Sequence, residues 1–432
     1  MKKLIPIMII VLFTISGCQK PPITNFKDYA VYLQPTPNTH LQQIDTEFNF
    51  WTNKLINSPG DIIAESKLAG LLTKRFAYSG NITEIHRADS LYRVVNVINH
   101  TTGSGTFRSL ATNCITQHRF QQAQLYIDSA LALGDDKYLT TLMEFDVAME
   151  LGNRYRAQKA LNSLADKTTF EYLIRAAKYK DHVAGDLDAA IGLMEKAFDK
   201  IKDNPAPALF CWLKTNLGDL YGHANRYSES YQCYLQVLAK DPHYYHALKG
   251  IAWLAFSHDN NVANARKIVA YLQQQHSVPD YELLLSQMAA SQHDSMAYQQ
   301  HIDRFITATK NKLYGNMYNK YLFAIEADEQ NNASRCLQIA ETEVAHRPTP
   351  EAFSWLAWAY CRNGEVNKAM ETARLYVANK CFEPDALYYL GKIYQAGGQN
   401  SRARTYLKAA QKSSYELGPV VSNSIKESLK AL

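Results

Sequence analysis

Between Pro350 and Leu417 the chain states one pattern twice, at the fixed interval that separates Pro350 from Pro384. The same step pairs Leu356 with Leu390, Ala357 with Gly391, Tyr360 with Tyr394 and Ala369 with Ala403. An apolar residue, a small one directly after it, an aromatic three further on and a small residue nine later describe two short helices joined by a polar turn. The small residues set the geometry. Antiparallel helices approach closely only where facing side chains are small, so Ala357 or Gly391 must meet Ala369 or Ala403, while Leu356, Tyr360, Leu390 and Tyr394 fill the flanks. A single hairpin of this kind leaves one apolar face wet, and only a stack of neighbours covers it.

Weaker copies extend the pattern upstream. Leu217, Gly218, Tyr221, Ser230, Tyr234 and Pro242 keep it, and Ile251 and Ala252 follow Leu217 and Gly218 at the same interval before the turn gains a residue. Leu110, Ala111 and Ala123 mark an earlier unit. The units around 145–164, 172–201, 279–313 and 314–349 are looser, and their helix registers stay open.

The pattern resembles the tetratricopeptide repeat. That resemblance implies an all-α fold, a right-handed alpha-alpha superhelix of about ten hairpins over residues 46–417, with residues 418–432 as a polar capping helix. It also implies that the first helix of each pair lines a concave surface. Carried onto the better-matched units, the inward positions are Trp212, His246, Lys249, Trp253, Phe256, Trp358, Arg362, Tyr388 and Lys392. Trp253 and Trp358 read as the same repeat position, and the competing reading packs either ring against a neighbouring helix. The asparagine and lysine set with which some relatives clamp a terminal carboxylate is not reproduced, since Asn216 stands alone and Gly250 holds the equivalent place.

At the amino end Lys2 and Lys3 precede an apolar run from Leu4 to Ile15 and the sequence Ile15-Ser-Gly-Cys18. The run is short for a bilayer span and fits an export signal. Its end resembles the bacterial lipobox, which implies a signal peptide over 1–17, lipid attachment at Cys18 and anchoring without crossing. Gln19 at the following position implies sorting to the outer membrane, facing the periplasm, with surface display as the alternative. Residues 18–45 carry Pro21, Pro22, Pro35 and Pro37 and read as a tether, because proline breaks helices. Phe26–Leu33 is apolar enough to dock, either as a strap along the first repeat or as a partner-binding strand.

Net charge is +5, falling to about +3 without Lys2 and Lys3, too small and dispersed to indicate a nucleic-acid ligand. Seven cysteines include Cys18; among the others only Cys336 and Cys361 lie on neighbouring helices where a bridge is geometrically reasonable. No zinc-protease, Cys-x-x-Cys, phosphate-loop or nucleophile-elbow motif occurs. His243 and His246 lie three apart without further ligands nearby. The expectation is therefore a non-enzymatic, cofactor-free and metal-free envelope scaffold that binds a protein or peptide in its groove and meets the membrane through its lipid alone. Two alternatives remain: an outer-membrane lipoprotein that captures glycan or peptide nutrients, and a non-catalytic subunit of an envelope enzyme or transport complex.

Overall fold

The computed structural model describes residues 21–99, 102–203, 205–328 and 332–432, so Cys18 and the signal segment lie outside the described residues. After a leading helix, Thr39–Asn57, ten antiparallel helix pairs follow, from Ile62–Ser79 with Ile82–Ile98 to Pro384–Ala396 with Asn400–Lys412. Helix starts are capped locally: the side chains of Asp61, Asn81, Asn153, Asp186 and Asn332 each accept a first-turn backbone N–H, satisfying donors that the helix itself leaves open. Pro207, Pro350 and Pro384 open their helices at the position where a missing N–H costs nothing.

The small contact residues do what the repeat requires. Ala357, Ala369 and Ala403 are fully buried. A Cβ on Gly391 would stand 2.6 Å from Leu407, one on Gly218 would stand 2.7 Å from the Tyr234 ring, and one on Gly250 would collide with the same ring. Tyr234 is thus held between two glycines of successive first helices, its hydroxyl donating to Asp219 at 2.6 Å.

Successive turns of the superhelix touch. The Ser277 N–H donates to the carbonyl of Ser79 at 2.9 Å. A Cβ on Gly152 would meet Thr349 at 3.1 Å, and one on Gly185 would meet Phe382 at 2.5 Å. The members of each pair are separated by just under six repeat periods. Ion pairs follow the same seam: His182 with Glu383 at 2.8 Å and Arg347 with Glu150 at 3.8 Å. Ile82 and Ile85 of the first hairpin pack with Ile302, Phe305, Tyr314 and Tyr318 across it.

Three boundaries differ from the sequence reading. The helical stack begins at Thr39 rather than residue 46. The segment expected to be a tether is docked from Ile23 onward, and Phe26–Leu33 straps the fifth and sixth hairpins rather than the first. Asp259 accepts hydrogen bonds from the Ile23 N–H, the Thr24 N–H and the Thr24 hydroxyl, Tyr231 donates to the Asn25 carbonyl, and the Lys267 ammonium stands 4.7 Å from the Phe26 ring centre. Docking wins because the sixth hairpin's turn supplies a buried carboxylate for backbone donors that would otherwise lie against an apolar surface.

The third is the carboxyl end. The last helix begins at Ser414, breaks at Gly418 (φ 76°, ψ 170°) before Pro419, and continues to Ala431. Beyond the break it covers the tenth hairpin, where Ser424 meets the Tyr388 hydroxyl at 3.0 Å and Lys392 donates to Ser428 at 3.1 Å. Before the break it turns inward to the fifth and sixth hairpins. Cys361 keeps a free thiol, so no bridge joins it to Cys336. No described helix is long and apolar enough to cross a membrane.

Candidate functional site: a concave cavity

The first helices of the fifth to tenth hairpins surround a cavity of about 450 Å³, closed on one side by the inward-turning carboxyl segment. Asp219, Trp253, Gln287, Tyr321, Trp355 and Tyr389, each one repeat period after the last, all line it. The period read from the last two units therefore runs through the middle of the chain as well, where apolar signals are too weak to set the register.

Of the nine candidate groove residues, the cavity takes His246, Lys249, Trp253 and Tyr388. The other five face elsewhere for identifiable reasons. Trp358 is buried, its ring stacked on Tyr389 at 5.7 Å and 13°, and Trp355 lines the cavity instead. Counted in whole periods, Trp253 corresponds to Trp355 and Phe256 to Trp358, so the two tryptophans first paired are one helical turn out of step. Phe256 is core as well; it sits in a π-turn, Leu254–His258, and packs edge-on against Trp253. Arg362 lies over the Trp358 ring, Trp212 packs on Phe170, and Lys392 is engaged by the carboxyl helix. His243 is buried against the chain just after the strap, meeting Thr36, so it shares no site with His246.

The cavity's charges are arranged in pairs. Asp219 receives His246 at 2.9 Å and Tyr234; burial works against its charge, and these partners hold its carboxyl below the usual range. Asp280 meets Lys249 at 3.3 Å and Tyr318 at 2.7 Å, with the same outcome. Lys320 lies 3.2 Å from both Glu351 and Asp385; burial pulls its pKa down, and the surrounding carboxylates lift it well above the ordinary lysine value. Glu416 is the exception. Burial raises its pKa above the usual carboxylate range; His223, 3.7 Å away, and Lys320 oppose the rise, and Glu383 and Asp385 add to it.

One wall already grips polypeptide. The Trp253 indole N–H (3.0 Å) and the Ser257 hydroxyl (2.8 Å) both donate to the carbonyl of Tyr415, while the Tyr415 ring lies where a side chain on Gly222 would stand. Sequence reasoning missed Gln287, Tyr298, Lys320, Tyr321 and Glu416. For Gln287 and Tyr321 the signal was present in the unbroken period from Trp253. Tyr298 and Glu416 come from a second helix and the carboxyl segment, which no repeat position marks. Among the described residues no group of three or more His, Cys, Asp or Glu side chains has metal-binding geometry.

With this geometry in hand, the fold is a solenoid of tetratricopeptide-like helical hairpins. The tetratricopeptide repeat family model matches residues 385–414, the second helix pair of the tandem copy. A tetratricopeptide repeat protein from Parabacteroides merdae is 20% identical, covering 60% of this chain and 97% of that one, at a TM-score of 0.34. The human IFIT1 dimer with PPP-AAAA is 14% identical over 72% of this chain and 71% of that one (TM-score 0.47). YrrB, described as a tetratricopeptide repeat protein with an unusual peptide-binding site, is 16% identical over 46% and 95% (TM-score 0.26). None of the curated proteins matches the sequence.

Proposed function

We propose that this protein is a non-catalytic scaffold of the bacterial cell envelope, anchored by lipid at Cys18, that holds a peptide segment of a protein partner in its concave cavity. The observation that carries the reading is the capture of the Tyr415 carbonyl by Trp253 and Ser257, which is how a groove binds backbone irrespective of sequence. A volume of about 450 Å³ suits a few residues of extended chain and lies within the range of specific binding pockets. Trp and Tyr on the walls are the side chains that contribute most at interfaces. Carboxylates in the cavity disfavour a polyanion. With Ile23 pinned to Asp259, Cys18 is five residues from the body, so the anchor would hold the sixth hairpin's turn within about 18 Å of the membrane.

Two measurements test this. Metabolic labelling with palmitate should mark the wild type and not Cys18→Ala; equal labelling would remove the anchor. Crosslinked partners recovered from envelopes should be lost with Trp253→Ala and Tyr321→Ala and kept with Trp212→Ala, which lies outside the cavity. An unchanged set of partners in all three would move binding away from the groove.

A further inference from the structure

The cavity's chemistry narrows what the bound segment must carry; this step rests on the peptide-groove reading above. Four carboxylates line the cavity, those of Asp219, Asp280, Asp385 and Glu416, against two lysines, Lys249 and Lys320. With neutral histidines that leaves an excess of two negative charges in a partly enclosed space, where field lines are focused by low-dielectric walls. With His246 neutral, one of these charges lies at Asp219 and the other at the Asp385 and Glu416 end, where Glu351 and Glu383 behind the wall add to it. Lys249 answers Asp280 and the His246 ring meets Asp219, whereas Lys320 is shared between Asp385 and Glu351, and Glu416 meets the His223 ring at 3.7 Å and feels Lys320 from farther away. Burial is the main cause of the upward shift of the Glu416 carboxyl; Glu383 and Asp385 add to it, and His223 and Lys320 do not offset it.

Two further groups point the same way. The side-chain oxygen of Gln287 and the hydroxyl of Tyr298 are buried, line the cavity and have no hydrogen-bond partner. Buried polar atoms are nearly always satisfied, so an acceptor left open beside a cavity marks where a ligand donor belongs. The walls between these groups are aromatic. Tyr321, 40% exposed, and Tyr388 present rings on which a flat cation stacks. A guanidinium meets all three demands with its charge, its five donors and its planar face.

We propose that the cavity is a receptor site for a basic side chain, arginine above lysine, displayed on an extended peptide segment of the partner. The head group sits at the Asp385 and Glu416 end, donates to Gln287, and lies against Tyr321, while the segment's backbone follows the wall where Trp253 and Ser257 hold the protein's own carbonyl.

The test uses the full chain and a phage-displayed library of random dodecapeptides. The expected result is enrichment of arginine-containing peptides. In fluorescence anisotropy, replacing the arginine of an enriched peptide by citrulline, which keeps shape and loses charge, should weaken binding about tenfold. Asp385→Asn and Glu416→Gln should each weaken the arginine peptide and leave the citrulline peptide unchanged, whereas Asp128→Asn, outside the cavity, should change neither. Should the carboxylate variants fail to fold, Tyr321→Leu, at a half-exposed position, should still weaken the arginine peptide by removing the stacking face. Enrichment of acidic or uncharged peptides, or equal affinity for arginine and citrulline, overturns the basic-ligand assignment while leaving the peptide groove standing. Failure to enrich any peptide overturns both.

Discussion

Gly185 and Phe382, on successive turns of the superhelix, touch so closely that a Cβ on the glycine would stand 2.5 Å from the ring. Gly185 also holds a φ of 64°, a left-handed value that side chains resist. Gly185→Ala should therefore lose stability twice, about 1–2 kcal/mol from the backbone and about 1–3 kcal/mol from crowding the ring. Gly364→Ala is the control, since Gly364 has a φ of 82° and open space around it. Urea midpoints should separate the two variants; equal losses would mean that the turns of the superhelix do not press together at Gly185.

The carboxyl segment is held by a different pair. Trp253→Phe keeps most of the ring and removes the indole donor to the Tyr415 carbonyl, at a cost of about 0.5–1.5 kcal/mol. Limited proteolysis should then cut sooner near Ser413–Gly418 than in the wild type. Unaltered cleavage there would assign the segment's position to the Tyr415 ring alone.

The amino-terminal strap depends on one carboxylate. Asp259 accepts from Ile23, Thr24 and His258, and these contacts keep it below the usual carboxylate range although burial opposes them. Asp259→Ala leaves buried donors without an acceptor, at about 1–3 kcal/mol each. Hydrogen exchange over residues 23–33 should accelerate sharply, with the remote tenth hairpin unchanged. Protection that persisted would place the strap's stability in Phe26 and Tyr29.

Acid and base act on the seam with opposite signs through two histidines. His182 is raised above its ordinary 6.5, chiefly by its hydrogen bond to Glu383. Its contribution is complete below pH 6.5 and is lost as pH climbs through the raised value. His276, whose ring lies against Gly80, is lowered to about 4 by burial. Its contribution is present above pH 6.5 and is lost as pH falls toward about 4. Thermal melts should show His182→Gln flattening the alkaline side of the stability profile and His276→Gln the acid side. A swapped assignment would contradict both environments.

How much of this was readable beforehand follows from what each contact needs. Ala357, Gly391, Ala369 and Ala403 announced the hairpin because close helix approach admits so few side chains there. Trp253, His246, Lys249 and Tyr388 could be assigned to the cavity from repeat position alone. Trp358 misled because its likeness to Trp253 suggested a shared position, whereas whole periods join it to Phe256, and the looser units between the two offer little to fix the count. The docking of Ile23 on Asp259 and the inward bend at Gly418 were beyond reach for another reason: both join segments far apart in the chain, and repeat periodicity informs only on neighbours.

A stack whose units touch only their neighbours can fray from either end, one unit after another, without the middle taking notice. The bond from Ser277 to Ser79 and its companions along the seam forbid that here. Losing the first hairpin strips cover from the seventh, so melting should be a concerted event, seen as one calorimetric peak. Refolding should be slow for an all-helical chain, because partners nearly six repeats apart must find each other before the coil can lock.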